Sequence, residues 1–176
     1  TIGDSSAQTF EISSDIVLQG DSAIKFNSGS SLNYTGTALA VAKTLTIEGS
    51  GGIKNTNSMN LSGATGKLNL SGVSLENVIT SANNSGLSIT NSSTLTDFSA
   101  SNLTPVSIAS GKSLSGNITI NAGGTFQLND TGTLAASSKL TGGTLKVNQS
   151  STVSGAVSIA GNSAINVASG KTVIFS

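Results

Sequence analysis

The apolar residues of this chain follow a short pattern that recurs about every twenty residues. Each unit has two apolar residues separated by one other residue, and a third apolar residue after five more, as in Leu145, Val147 and Val153. Units of this kind start at residues 24, 45, 68, 87, 106, 126, 145 and 165. A fixed period of this length along most of the chain indicates a repeat protein.

The residue between the paired apolar positions is polar in every unit, for example Lys25, Asn69 and Lys146. Because strand side chains alternate between two faces, each pair predicts a short strand with one apolar and one polar face. Turn-forming residues such as 109–111 and 168–170 come next. The third apolar residue then marks a second wall, and pairs such as Ile118 and Ile120 mark a third.

These elements predict an all-β fold, a right-handed parallel β-helix (β-solenoid) with about 20 residues per coil and roughly nine coils. The right hand follows from the general preference of parallel crossovers. Strands stacked at about 4.8 Å would give a rod roughly 40 Å long. Residues 1–176 are expected to form a single domain. Because residues 171–176 end on an apolar strand with an exposed edge, we expect a section of a longer rod or a unit that stacks end to end.

Composition narrows the choice of partners. Charged residues make up 9% of the chain, the formal net charge is zero, and the eight positive charges are scattered lysines. No basic stripe is present, so a nucleic-acid partner is not expected. The longest purely apolar run, residues 38–42, is too short to cross a bilayer, so no membrane insertion by this segment is expected.

Candidate chemistry is sparse. The chain has no His and no Cys, so a Ser-His or Cys-His nucleophile of the usual kind cannot form. Glu11, Asp15 and Asp21 invite a cation or acid–base interpretation, but a solvated terminal coil is the stronger one. Residues 111–113 and 170–172 match the end of a phosphate-binding loop, yet they lie at repeat corners and are expected to be turns. No catalytic, cofactor or metal site is predicted.

One outward column of hydroxyl residues is the candidate binding surface. It precedes the third apolar residue of each unit, and its best members are Thr94, Ser113, Thr133, Thr152 and Thr172. A flat ladder of hydroxyls could order water as ice-binding solenoids do, or line a groove for a sugar. Ser and Thr are also ordinary solvent-facing strand residues, and that interpretation is favoured.

The repeats at residues 143–155 and 157–173 resemble those of Gram-negative autotransporter passenger domains and, secondarily, of filamentous haemagglutinins. The resemblance spans nearly the whole chain, and it implies an exported rod displayed at the bacterial cell surface or released. It also implies adhesion, self-association or biofilm formation. No functional residues carry over from the family, because no site motif of a subfamily is present.

The leading hypothesis is therefore a noncatalytic, extracellular structural or adhesive rod. We expect lateral or end-to-end self-association, and contact with a host or surface glycan or protein. The alternatives are a fragment of a carbohydrate-active β-helix enzyme, an ice-binding solenoid and the scaffold of a toxin. An enzyme would need clustered acids with Arg or His on one wall, and ice binding would need a regular Thr-x-Thr face.

Overall fold

The computed structural model describes residues 6–27, 29–36, 39–41, 43–55, 59–60, 67–76, 78–80, 85–101 and 103–176. This part of the chain forms 23 strands and no helix, and every strand pairing is parallel. None of it is a helix that could cross a membrane. The strands form three walls around one apolar interior, which confirms the predicted β-solenoid.

The first wall is an eight-stranded parallel sheet that contains one strand from each coil it passes through. Its strands are β3 (Ser22–Phe26), β6 (Thr44–Gly49), β9 (Lys67–Ser71), β12 (Ser85–Asn91), β14 (Leu103–Ile108), β16 (Thr125–Leu128), β19 (Thr144–Val147) and β22 (Ala164–Val167).

The second and third walls belong to one fifteen-stranded sheet, because β13 (Ser93–Ala100) and β15 (Ser113–Ile120) bend from one wall into the other. The second wall holds β1 (Thr9–Ile12), β4 (Ser31–Tyr34), β7 (Gly52–Asn55), β10 (Ser74–Glu76), the first halves of β13 and β15, β17 (Thr133–Leu134), β20 (Ser151–Val153) and β23 (Val173–Phe175). The third wall holds β2 (Ile16–Leu18), β5 (Leu39–Val41), β8 (Met59–Asn60), β11 (Val78–Thr80), the second halves of β13 and β15, β18 (Ser137–Thr141) and β21 (Val157–Ala160).

The number of coils differs slightly from the prediction. Seven coils, beginning with β3, β6, β9, β12, β14, β16 and β19, contribute to all three walls. One partial coil, β1 with β2, precedes them, and another, β22 with β23, follows them. The expected nine came from dividing the length by the period, which counts the two partial coils as whole ones.

The core is a continuous stack of inward side chains along the axis. Leu45, Leu75, Leu114 and Val147 are each 0% exposed, and Tyr34 is the largest fully buried side chain. Each lies in a strand whose neighbouring residues face outward, as the alternating pattern predicted. Full burial of one such aliphatic side chain stabilises the fold by about 1.5–3 kcal/mol relative to its exposure.

The register between coils is shifted from the expected alignment at several steps. Ile24 pairs with Ile47 rather than with Leu45, and Val106 pairs with Leu128 rather than with Phe126. Each shift is two residues. Because strand side chains alternate with a period of two, a two-residue shift leaves every apolar residue facing the interior.

The corners between walls use glycine and buried serine. Gly29, Gly49, Gly72, Gly111 and Gly170 have positive φ angles, and the last two confirm the turns predicted at 109–111 and 168–170. At the corner before β13 the buried Ser93 hydroxyl donates to the Asn91 carbonyl at 2.9 Å and accepts the Gly72 N–H at 3.1 Å. Such side chains satisfy backbone groups that the bend removes from the ladders.

Pro105 lies inside β14, a strand that is paired on both sides. The segment from Leu103 to Val106 has one residue more than the matching segments of both neighbouring strands. This extra residue forms a β-bulge, one of the few places in a sheet where the missing N–H of proline is tolerated.

Candidate functional site

The predicted hydroxyl column lies on the outer face of the second wall, but it is shorter than expected. Ser113 pairs with Thr133, and Thr133 with Thr152, so these three residues form consecutive rungs. All three are partly exposed. With a strand spacing of about 4.8 Å, they form a straight hydroxyl row across three coils.

The two remaining members are displaced by register shifts. Thr94 pairs with Ser115, not with Ser113, and their hydroxyl oxygens lie 2.8 Å apart. Thr152 pairs with Ile174, while Thr172 lies in the turn before β23, where its N–H donates to Ser150 Oγ at 3.3 Å. The structure thus joins three of the five predicted residues and separates Thr94 and Thr172 from them.

The first part of the predicted column, Ser31, Gly52, Ser74 and Thr94, pairs across four coils as the repeat predicts. Sequence reasoning missed only its next member, which is Ser115 instead of Ser113. The spacing of the repeats along the sequence does not reveal this pairing. A two-residue register shift between neighbouring strands keeps every side chain on the same face of the wall, so the pattern of apolar residues stays the same.

A depression interrupts this column at Gly52. It has a volume of about 250 Å³, and the Ser31, Lys54, Ser74 and Glu76 side chains surround it. A Cβ atom on Gly52 would lie 2.3 Å from the Ser74 carbonyl oxygen. The close approach of the two backbones is therefore enough to require glycine here. The depression is therefore a consequence of packing.

The acids of the first coil do not converge. Asp21 Oδ1 accepts the Thr44 N–H at 3.0 Å, and Glu11 Oε1 accepts an Asn33 amide hydrogen at 3.4 Å. Each of these contacts links its acid to the next coil. Within the described ranges no three acidic side chains lie close enough together to hold a metal ion.

The two sites that resemble the end of a phosphate-binding loop are turns, as predicted. Gly111 and Gly170 have φ angles of 70° and 69°. The N–H groups of Lys112 and Lys171 close these turns by donating to Ala109 and Ala168 at 2.9 and 3.0 Å. No helix follows either turn, so the dipole that would hold a phosphate is missing there.

Comparison of the chain with protein-family models, with curated proteins and with solved structures finds no match. The features that can bear on function are therefore those of the structure itself. It offers polar hydroxyl rows along the sides of the rod and strand edges at its two ends.

Proposed function

We propose that this chain is a noncatalytic, extracellular structural or adhesive rod that self-associates through its ends. One observation carries the proposal: the large exposed apolar side chains of the described residues lie in the first coil and the last coils. They are Phe10, Val17, Ile159, Ile165, Val167, Ile174 and Phe175. Monomeric proteins rarely leave such residues clustered in water, so apolar ends of this kind fit interfaces.

The backbone at the ends supports the same proposal. Within the described residues, β21, β22 and β23 each pair with one strand, as do β1, β2 and β3 at the opposite end. The other edge of each strand has N–H and C=O groups that another parallel strand can bind. A second copy stacked end to end would extend these ladders and cover the apolar side chains together.

The distribution of charge favours head-to-tail stacking over contacts between like ends. Residues 1–26, up to the end of β3, contain four acidic residues and one lysine, whereas residues 131–176 contain three lysines and no acid. Opposite charges on the two ends attract, and juxtaposed like ends would repel. A head-to-tail contact leaves the same two surfaces free on the outermost copies, so it builds a filament.

The extracellular location and the adhesive role rest on the resemblance of the repeats to autotransporter passenger domains and filamentous haemagglutinins. The polar sides are compatible with that role, because their hydroxyl and amide groups can bind a glycan or protein surface without promoting nonspecific lateral aggregation.

Sedimentation velocity over a concentration series tests the self-association. Ile165→Glu places a charge on the inward face of β22, and Asn166→Glu places the same charge on its outward face. We expect the wild type and N166E to form larger species as concentration rises, and I165E to remain monomeric. A wild type that is monomeric throughout, or equal behaviour of the two variants, would contradict stacking through the ends.

A further inference from the structure

A second depression lies on the outer face of the first wall, away from both ends and from the hydroxyl rows of the second wall. It crosses β9, β12 and β14 and has a volume of about 240 Å³. This is slightly below the range of about 300–1,000 Å³ typical of pockets for drug-sized ligands, so it suits one small ligand unit. Its lining includes Lys67, Asn69, Gly86, Ser88, Pro105 and Ser107.

Gly86 forms the floor of this groove, and neither backbone conformation nor packing requires glycine there. Its φ angle is not positive, and a Cβ atom added to it would lie 3.5 Å from Lys67 Cγ and 3.9 Å from Pro105 Cδ. These are ordinary contact distances. At Gly116, in contrast, an added Cβ would lie 1.9 Å from the Leu95 carbonyl oxygen.

Glycine inside a strand weakens it, because the flexible backbone loses more entropy on folding and no side chain packs. A residue that is costly for the strand and not required by local geometry points to a use for the open space above it. A larger side chain at position 86 would occupy the gap between Lys67 and Pro105.

The side chains that line the groove combine one positive charge with neutral polar groups. The Lys67 ammonium group and the Ser88 and Ser107 hydroxyls make no hydrogen bond or ion pair with another described residue. The Asn69 amide nitrogen donates to Thr46 Oγ1 at 3.4 Å, which leaves its carbonyl oxygen as an acceptor. The Pro105 ring and the Lys67 methylenes supply apolar flanks.

We propose that this groove binds the carboxylate-bearing sugar unit of an acidic glycan. The Lys67 ammonium group pairs with the carboxylate, since a charge-assisted hydrogen bond is the strongest polar contact available in the groove. The Asn69, Ser88 and Ser107 side chains bind ring hydroxyls, and the C–H face of the ring packs against Pro105. The groove deepens the adhesive part of the proposed function, on which it rests, by naming the class of ligand, and it is independent of stacking through the ends.

Amide chemical shifts of the ¹⁵N-labelled chain, titrated with D-glucuronate, D-glucose and acetate, test this site. We expect glucuronate to shift the resonances of residues 67–69, 86–88 and 106–107, and glucose and acetate to bind at least about tenfold more weakly. Equal binding of acetate would reduce the site to a simple anion contact and overturn the sugar proposal. Equal binding of glucose would overturn the role of Lys67, and a wild type without shifts would overturn the site.

Two variants and one control locate the binding. Gly86→Val fills the groove with a residue that favours strands, so its thermal midpoint should not fall while glucuronate affinity drops at least about tenfold. Lys67→Gln keeps the shape and should lose binding of the charged probe. Lys146→Gln removes an exposed lysine from the same wall and should bind like the wild type. Unchanged affinity in both G86V and K67Q would overturn the proposal.

Discussion

The hydroxyl oxygens of Thr94 and Ser115 lie 2.8 Å apart on consecutive coils of the second wall. The repeat pattern placed Thr94 beside Ser113 instead. The contact therefore reports the register between β13 and β15 directly, and it explains why the predicted hydroxyl column breaks at this step.

A double-mutant cycle tests this register. Thr94→Val and Ser115→Ala each remove one partner of a partly buried hydrogen bond, so their effects on the free energy of unfolding should couple by about 1 kcal/mol. The matched cycle of Thr94→Val with Ser113→Ala should be additive within about 0.3 kcal/mol. Urea titrations in which Thr94→Val couples to Ser113→Ala but not to Ser115→Ala would contradict this register and support the alignment expected from the repeats.

Ser93 should contribute more to stability than an exposed serine does. Its side chain is 4% exposed, and its hydroxyl donates to Asn91 O and accepts the Gly72 N–H. Ser93→Ala should lower the free energy of unfolding by about 1–3 kcal/mol, because it leaves buried backbone groups without partners. The exposed Ser137→Ala should stay within about 0.5 kcal/mol of the wild type. Equal urea midpoints for the two variants would show that the hydrogen bonds of the Ser93 hydroxyl do not stabilise the corner before β13.

Three glycines differ in what an added methyl group would meet. Gly116 has a φ of 105°, and its Cβ would lie 1.9 Å from the Leu95 carbonyl oxygen. Gly111 has a φ of 70° with open space around it, and Gly20 has neither restriction.

Thermal unfolding of the three alanine variants should therefore follow a graded order. Gly116→Ala should lose more than about 2 kcal/mol, and Gly111→Ala about 1–2 kcal/mol from backbone strain alone. Gly20→Ala should change stability by no more than about 0.5 kcal/mol. A Gly116→Ala variant as stable as Gly20→Ala would mean that β15 does not bend at this residue.

The fold could be predicted from sequence because its signal is redundant. Each coil repeats the same alternation of inward apolar and outward polar residues, and residues such as Leu145 and Ile165 stack as the repeat placed them. Glycines at the corners, including Gly111 and Gly170, mark the turns through their tolerance of positive φ.

The register could not be predicted at every step between coils, for a physical reason. The spacing of the repeats shows that one coil has more residues than the next. It does not show in which wall or corner the additional residues lie. Lys25 illustrates this: the repeat aligns it with Thr46, but in the structure it pairs with Glu48, and the Lys25 Nζ to Glu48 Oε1 distance is 3.4 Å. Both alignments put Lys25 on the outer face, so hydrophobicity does not distinguish them.

The groove at Gly86 was only partly visible in the sequence. Lys67, Gly86 and Pro105 each come directly before a unit start, so the repeat aligns them. The pattern does not show the bulge in β14 or the open space above Gly86. Proline inside a paired strand runs against the ordinary rule, and this exception shapes one flank of the groove.

Negative-stain electron microscopy of the purified chain across a concentration series tests the central claim, that stacked coils form a rod that extends through its ends. We expect single rods about 40 Å long at low concentration. At high concentration we expect straight filaments of the same width, with lengths in steps of one rod. Isolated particles at every concentration, or assemblies that grow sideways into sheets, would contradict it.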